Sequence, residues 1–237
     1  MIYITGDCHG DSSKIEYFCK KHTTTPNDIM ILLGDVGLNY YLNNRDIKNK
    51  KKLNKLPLTF LCVQGNHEKY PKGLKNYIIK EENSEHIQGK FFIEEDFPNI
   101  KFFINGEKYI IENQSYWVLG GAYSVDKWYR LANSYAWFKD EQMSFSEQNQ
   151  IVQDITINNP TVDVILSHTC PYKYMPTHLF LDCIDQNAVD DRTERFLDII
   201  EENTHYKKWY CGHFHDNEML WDKGLMLFED IIELNIK

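Results

Sequence analysis

Short apolar runs recur along the front of the chain, each closed by glycine and a polar residue. Ile2–Thr5, Ile29–Leu33 and Leu58–Val63 are β-branched or leucine-rich and read as buried strands. The stretch from about Ser12 to Lys21 reads as a helix between the first two. This is the βαβ rhythm of a sheet covered by helices. The middle changes character. Lys101–Ile104, Glu107–Ile111 and Tyr116–Leu119 are closely spaced strand patterns, with Asn105-Gly106 placed to turn a hairpin between the first two. Further on, Ser144-x-x-Glu147 forms a capping box ahead of Ile151 and Ile155, marking a helix start.

Val162–Ser167 is another buried strand pattern, and Thr193–Asn203 is amphipathic, with Phe196, Leu197, Ile199 and Ile200 on one stripe. Asp191 and Glu194 sit where a helix cap and its third position belong. Lys208–Cys211 reads as a strand, followed by short strands around Leu220–Trp221, Leu225–Phe228 and Ile231–Leu234. The run Lys48–Lys52 reads as the solvated face of a helix rather than a nucleic-acid patch. Alternating units in front, hairpins in the middle and a β-rich tail predict two packed sheets with helices outside. A single domain over residues 1–237 is the expectation, with no internal repeat or low-complexity linker.

Composition narrows the class. With 42% hydrophobic and 14% aromatic residues in 237, the chain has what a buried core requires and is not disordered. No apolar run is long enough to span a bilayer, and the first strand pattern begins at Ile2 with no leader-like segment before it, so a cytoplasmic location is expected. A net charge of −9 argues against a general nucleic-acid binder, although a nucleotide substrate stays open if bound metal supplies positive charge locally. The six cysteines are scattered, with no CxxC pair, and read as reduced thiols.

Candidate chemistry gathers in five polar motifs that follow apolar strands: Gly6-Asp7-Cys8-His9-Gly10, Gly34-Asp35, Gly65-Asn66-His67-Glu68, Ser167-His168 and Gly212-His213-Phe214-His215. Open α/β sheets gather ligands at strand ends, and glycine lets the chain turn sharply off a strand. Any one motif has a bland reading: Gly34-Asp35 alone is turn chemistry, and a lone His168 is a histidine satisfied by backbone. Together they are harder to dismiss, because five of the nine histidines fall inside them. Carboxylate, amide and imidazole donors suit manganese, iron, zinc or nickel better than calcium alone.

These five blocks, in this order from Asp7 to His215, resemble the signature of the calcineurin-like metallophosphoesterase superfamily: GDxHG, GDxx, GNHE or GNHD, a single His after a strand, and GHxH. The resemblance implies a four-layer α/β/β/α sandwich of two mixed sheets flanked by helices. It also implies two divalent metal ions, with manganese expected first. Asp7, His9 and His215 would hold one ion, Asn66, His168 and His213 the other, and Asp35 would bridge them. His67 would stand beside the pair as general acid. Cations about 3.5–4 Å apart clamp a phosphate and lower the pKa of a shared water, giving the bridging hydroxide that attacks phosphorus.

Departures from relatives bear on substrate. Protein phosphatases of the superfamily carry GDxxDRG, whereas this chain reads Gly34-Asp35-Val36-Gly37-Leu38-Asn39 and lacks that arginine. The segment from Gly120 to Arg130 looks like a block of small bacterial and phage members. In one reading it is a substrate lid that brings Tyr123, Lys127 and Arg130 to the phosphate; in the other it is a surface loop with packed aromatics. The substrate expected is a small phosphorylated molecule or a nucleotide, as mono- or diester. A nuclease and a non-catalytic scaffold of the same fold are the alternatives. Length and charge disfavour the first, and retention of all seven ligand positions and His67 disfavours the second.

Overall fold

The computed structural model describes residues 1–234. In chain order the elements are β1 (Ile2–Thr5), α1 (Ser13–Lys21), β2 (Ile29–Leu32), α2 (Asn44–Leu53), β3 (Thr59–Cys62), β4 (Ile78–Asn83), β5 (Ile87–Ile93), β6 (Ile100–Phe103), β7 (Lys108–Ile111) and β8 (Gln114–Leu119). After these come α3 (Lys127–Ala132), α4 (Phe145–Asn158), β9 (Thr161–Ser167), α5 (Arg192–Glu202), β10 (His205–Cys211), β11 (Glu218–Trp221), β12 (Gly224–Met226) and β13 (Ile232–Glu233). Three 3-10 turns lie between β9 and α5.

Strands β1, β2, β3 and β6 run parallel in one half, and β8, β9, β10 and β12 run parallel in the other. The halves are not separate. Strand β5 pairs antiparallel with β6 through Phe91–Ile93 and with β7 through Ile87 and Gln88, so hydrogen bonding is continuous from β11 to β13. Gly89 sits at this crossing with φ +144°, and a Cβ there would run into the Tyr109 ring.

The alternation of side chains along the strands builds the layers. Ile2, Ile4, Ile29, Ile31 and Leu33 face inward onto Tyr116, Val118, Val164, Leu166 and Tyr210 of the other half. Tyr3, Met30 and Leu32 face the opposite way, onto Ile15 and Phe18 of α1 and Leu53 of α2. Trp117, Ile165 and Trp209 likewise pack on Ile155 of α4 and on Phe196, Leu197 and Ile200 of α5. Helix, sheet, sheet, helix is the four-layer order expected.

Three local expectations need correction, and one hairpin carried no expectation. Asn105-Gly106 does turn the chain, but β6 and β7 do not pair; β5 lies between them. The Asn105 side chain serves long-range contacts instead: its Oδ1 accepts from Gly120 N at 3.0 Å, and its Nδ2 donates to Gln64 Oε1 at 2.6 Å. The β4–β5 hairpin went unread because β4 is charged and almost wholly exposed, so no alternation marks it. Within Lys48–Lys52 the solvated face is interrupted by Lys50, which is buried and donates to Glu94 Oε2 at 2.6 Å. Helix α5 starts where expected, yet the Asp191 side chain caps no backbone N–H and instead accepts from the Arg195 guanidinium at 2.8 and 2.7 Å.

Candidate metal centre

All five motifs leave the carboxyl ends of parallel strands β1, β2, β3, β9 and β10, and the sandwich brings these ends together. The loops are tied to one another through backbone. Cys8 N and His9 N donate to Asp35 O at 3.1 and 2.7 Å, and Gly212 N donates to His168 O at 2.8 Å. Close approach explains the glycines: a Cβ on Gly65 would overlap the Asp35 carboxylate, and one on Gly34 the His168 ring. Four predicted ligands occupy the left-handed region, His9 (φ 48°), Asp35 (φ 47°), His213 (φ 75°) and His215 (φ 57°). Non-glycine residues adopt this region infrequently, and its strain persists where surrounding structure enforces it.

Asp7, Asp35, Asn66 and His168 form a buried floor, with His9, His67, His213 and His215 around the rim. Several ligand groups converge here; the first below is the set expected for one ion, and the second joins Asp7 of that set to Asp35 and to His168 of the other. The ligand atoms of Asp7, His9 and His215 lie within 4.8 Å of one another, as do those of Asp7, Asp35 and His168. Asn66 Oδ1 lies 2.8 Å from His168 Nε2 and 3.1 Å from His213 Nδ1. Asp35 Oδ1 is 3.5 Å from His168 Nε2 and accepts from His67 N at 2.7 Å. The His67 ring also comes within 4.8 Å of the ligand atoms of His9 and Asp35.

The donor set fits a cation. Asp7 Oδ2 and Asp35 Oδ2 are buried and accept no hydrogen bond; His215 Nε2 comes to 3.2 Å of the former without hydrogen-bond geometry. Orphaned carboxylate oxygens are costly unless something positive meets them. At His168, burial works to lower the pKa, but Asp35 and Asp7 outweigh it and push the ring up to about 9. Burial resists ionisation of Asp35, yet His168, His67 and His9 hold it well below the ordinary carboxylate range. The buried negative charge thus calls for positive charge at its centre, from a proton or from metal.

Surrounding residues aim the ligands. His168 Nδ1 donates to Leu33 O at 2.7 Å, so Nε2, facing Asn66 and Asp35, is the nitrogen that would offer its lone pair to an ion once the ion displaces its proton. Asn66 Nδ2 donates to Ser124 Oγ at 2.9 Å, which fixes the amide with Oδ1 toward the two histidines. Ser124 in turn donates to Glu141 Oε2 at 2.6 Å. The Glu68 carboxyl accepts from Val36, Gly37 and Leu38 N at 3.2–3.4 Å and so clamps the loop that follows Asp35. None of these roles was assigned from sequence. Glu68 lies inside a recognised motif and offered a signal; Ser124 and Glu141 are remote in sequence and offered none.

The substrate-binding expectations divide. Tyr123 lines the cleft beside the centre. Arg130 also arrives, though not on an exposed loop: it is 3% exposed, contacts both ring nitrogens of His67, and donates from Nε to Asp126 Oδ2 at 2.9 Å. Lys127 does not line the cleft and lies over the Trp137 ring, 4.2 Å from its centroid. His67 is shifted down, by loss of solvent first and by Arg130, with Asp35 and Asp126 opposing. Among the described residues no cysteine is disulfide-bonded, and Cys8 is a buried bystander whose thiol burial pushes up to about 12. No helix among them is long and apolar enough to cross a membrane.

A family match agrees with this picture. Residues 1–217 match the family model described as calcineurin-like phosphoesterase. Among solved structures, the chain is similar to the phosphopantetheinyl hydrolase of Mycobacterium tuberculosis at 12% identity and a TM-score of 0.45, over 96% of this chain and 87% of that one. No curated protein sequence matches.

Proposed function

The chain belongs to the calcineurin-like phosphoesterase family and is a metal-dependent phosphoester hydrolase, and we propose that its substrate is the phosphate ester of a small molecule or nucleotide, cleaved with His67 as general acid. The observation that carries this reading is the pair of buried carboxylate oxygens of Asp7 and Asp35 that accept no hydrogen bond and are ringed by imidazoles. Asp7, His9 and His215 would hold one ion, and Asn66, His168 and His213 the other. Asp35 faces both groups and would be shared. Manganese is the ion proposed, since these oxygen and nitrogen donors suit it and its borderline neighbours.

When bound, the ion pair supplies Lewis-acid charge that activates water and neutralises phosphoryl oxygens. The chain's own residues do the rest. Asp35 and Asp7 set the charge of the floor. Asn66, held by Ser124, keeps its oxygen turned inward. As water bonds to phosphorus and the ester P–O bond breaks, His67 on the cleft wall would give the departing oxygen a proton taken up when the negative phosphate arrives, since burial and Arg130 hold its pKa down beforehand. Arg130 does not line the cleft and is packed on His67, so its proposed action is on that ring, with phosphate beyond it.

The test is turnover of p-nitrophenyl phosphate and bis-p-nitrophenyl phosphate with added Mn²⁺, together with metal analysis of two variants. His67→Ala should lower kcat about a hundred- to ten-thousand-fold while metal content holds. Asp35→Ala should lose both ions. Loss of metal from His67→Ala would make His67 a ligand instead, and metal-independent turnover would refute the reading.

A further inference from the structure

The cleft does not end at the metal centre. It encloses about 570 Å³ and continues from Asp35, Asn66 and His213 onto a wall supplied by the segment between β9 and α5. Phosphate needs little of this room; cavities of this size bury a drug-sized molecule. The wall is apolar, with Leu179, Phe180, Ile184 and Val189 lining it. It is also anchored, because Met175, Leu179 and Phe214 pack on the buried side chains of Cys170, Cys211 and Met226. Phe214 joins wall to centre: it lies between His213 and His215 in sequence, its ring is 4.9 Å from that of His213, and it stacks with Phe180 at 6.3 Å.

Polar groups interrupt this surface at Thr177, Gln186, Asp191 and Glu194, and the last of these is the most deeply buried. Glu194, at the start of α5, lines the cleft, is 5% exposed, and its Oε2 has no hydrogen-bond partner. The neighbouring Thr169 hydroxyl lies close enough to act on this carboxyl but does not reach hydrogen-bond geometry with it. A buried carboxyl oxygen without a partner is costly, and a ligand bearing a donor would remove that cost.

We propose that this cleft holds the alcohol portion of the ester, and that the substrate is an amphiphilic phosphate ester: a phosphate head at the metals, an extended apolar body against Phe214 and Phe180, and a hydrogen-bond donor that meets Glu194. The inference rests on the phosphoesterase reading for the position of the phosphate. Anion site, apolar wall and unpaired acceptor are continuous in one cavity, which favours this occupant over a free sugar phosphate.

The experiment uses the metal-loaded chain and n-alkyl phosphates from methyl to octyl, whose leaving groups are similar in basicity, read by phosphate release. The matching alkylphosphonates, which cannot be hydrolysed, are titrated by calorimetry. Each methylene that enters the cleft should raise kcat/KM, and tighten phosphonate binding, by up to about fourfold. Phe180→Ala and the exposed-site change Leu181→Asn should shrink the octyl-to-methyl ratio. In ω-hydroxyalkyl phosphates, a terminal hydroxyl should improve kcat/KM at the chain length that reaches Glu194, and Glu194→Met should abolish that advantage. A flat response from methyl to octyl in both turnover and phosphonate binding would overturn the proposal and leave the phosphoesterase standing. If no ester is turned over, the phosphonate titration still decides whether the cleft takes apolar chains.

Discussion

At the scale of single residues, the centre is governed by charge placed where water is scarce. Asp7, Asp35, Asn66 and His168 are each 2% exposed or less, so every polar atom on the floor must find a partner in the protein or a bound ion. Ser124 matters here because it decides which end of the Asn66 amide faces the centre. Ser124→Ala should weaken metal affinity about ten- to a hundredfold, the usual cost of losing a group that orients a ligand, with the fold intact by circular dichroism. An affinity equal to wild type would show that Asn66 needs no such support. Glu194 sets a pH dependence of stability. Burial, with Asp191 and Asp190 adding, pushes its carboxyl up from 4.5 to about 7. A raised carboxyl pKa means the folded state binds the extra proton, so this contribution is present at low pH and declines as pH rises between those two values. Glu194→Gln should remove about 3 kcal/mol of that decline, read from urea midpoints at either end of the window.

At the scale of elements, strand ends and their turns carry the site. Each motif turns off a strand within three residues, and the left-handed backbone at His9, Asp35, His213 and His215 aims side chains that an extended chain would send elsewhere. The glycines between them are there for clearance. Gly65→Ala would drive a methyl into the Asp35 carboxylate and should cost both stability and metal, seen as a lower Tm and a reduced metal content. Helix α4 behaves as an ordinary local unit: Ser144 and Glu147 form the reciprocal capping box that the pattern announced. Ser144→Ala should therefore cost about 1 kcal/mol in chemical denaturation and leave turnover unaltered.

At the scale of the molecule, β5 makes one body of the two sheet halves. Because it pairs with β6 at one end and β7 at the other, the inner faces are held in register and the five motif-bearing strand ends meet. Gly89→Val, which would press on Tyr109 at the crossing, should lower Tm while a single cooperative transition is retained. Two separate transitions would show that the halves fold independently. Much of this was legible along the chain, and the division has a physical cause. The period-two apolar runs, the capping box and the glycine-bounded polar motifs are local, written within a few residues by backbone geometry and side-chain burial. Their order was enough to point to the family and to a metal-binding donor set. Tertiary structure alone decided what depends on distant partners. It placed β5 between β6 and β7, buried Lys50 against Glu94, packed Arg130 on His67, and opened an apolar cleft beside the metals. Such contacts join residues far apart in sequence, and no local period records them, because what stabilises them is the surface they share only once the chain has closed.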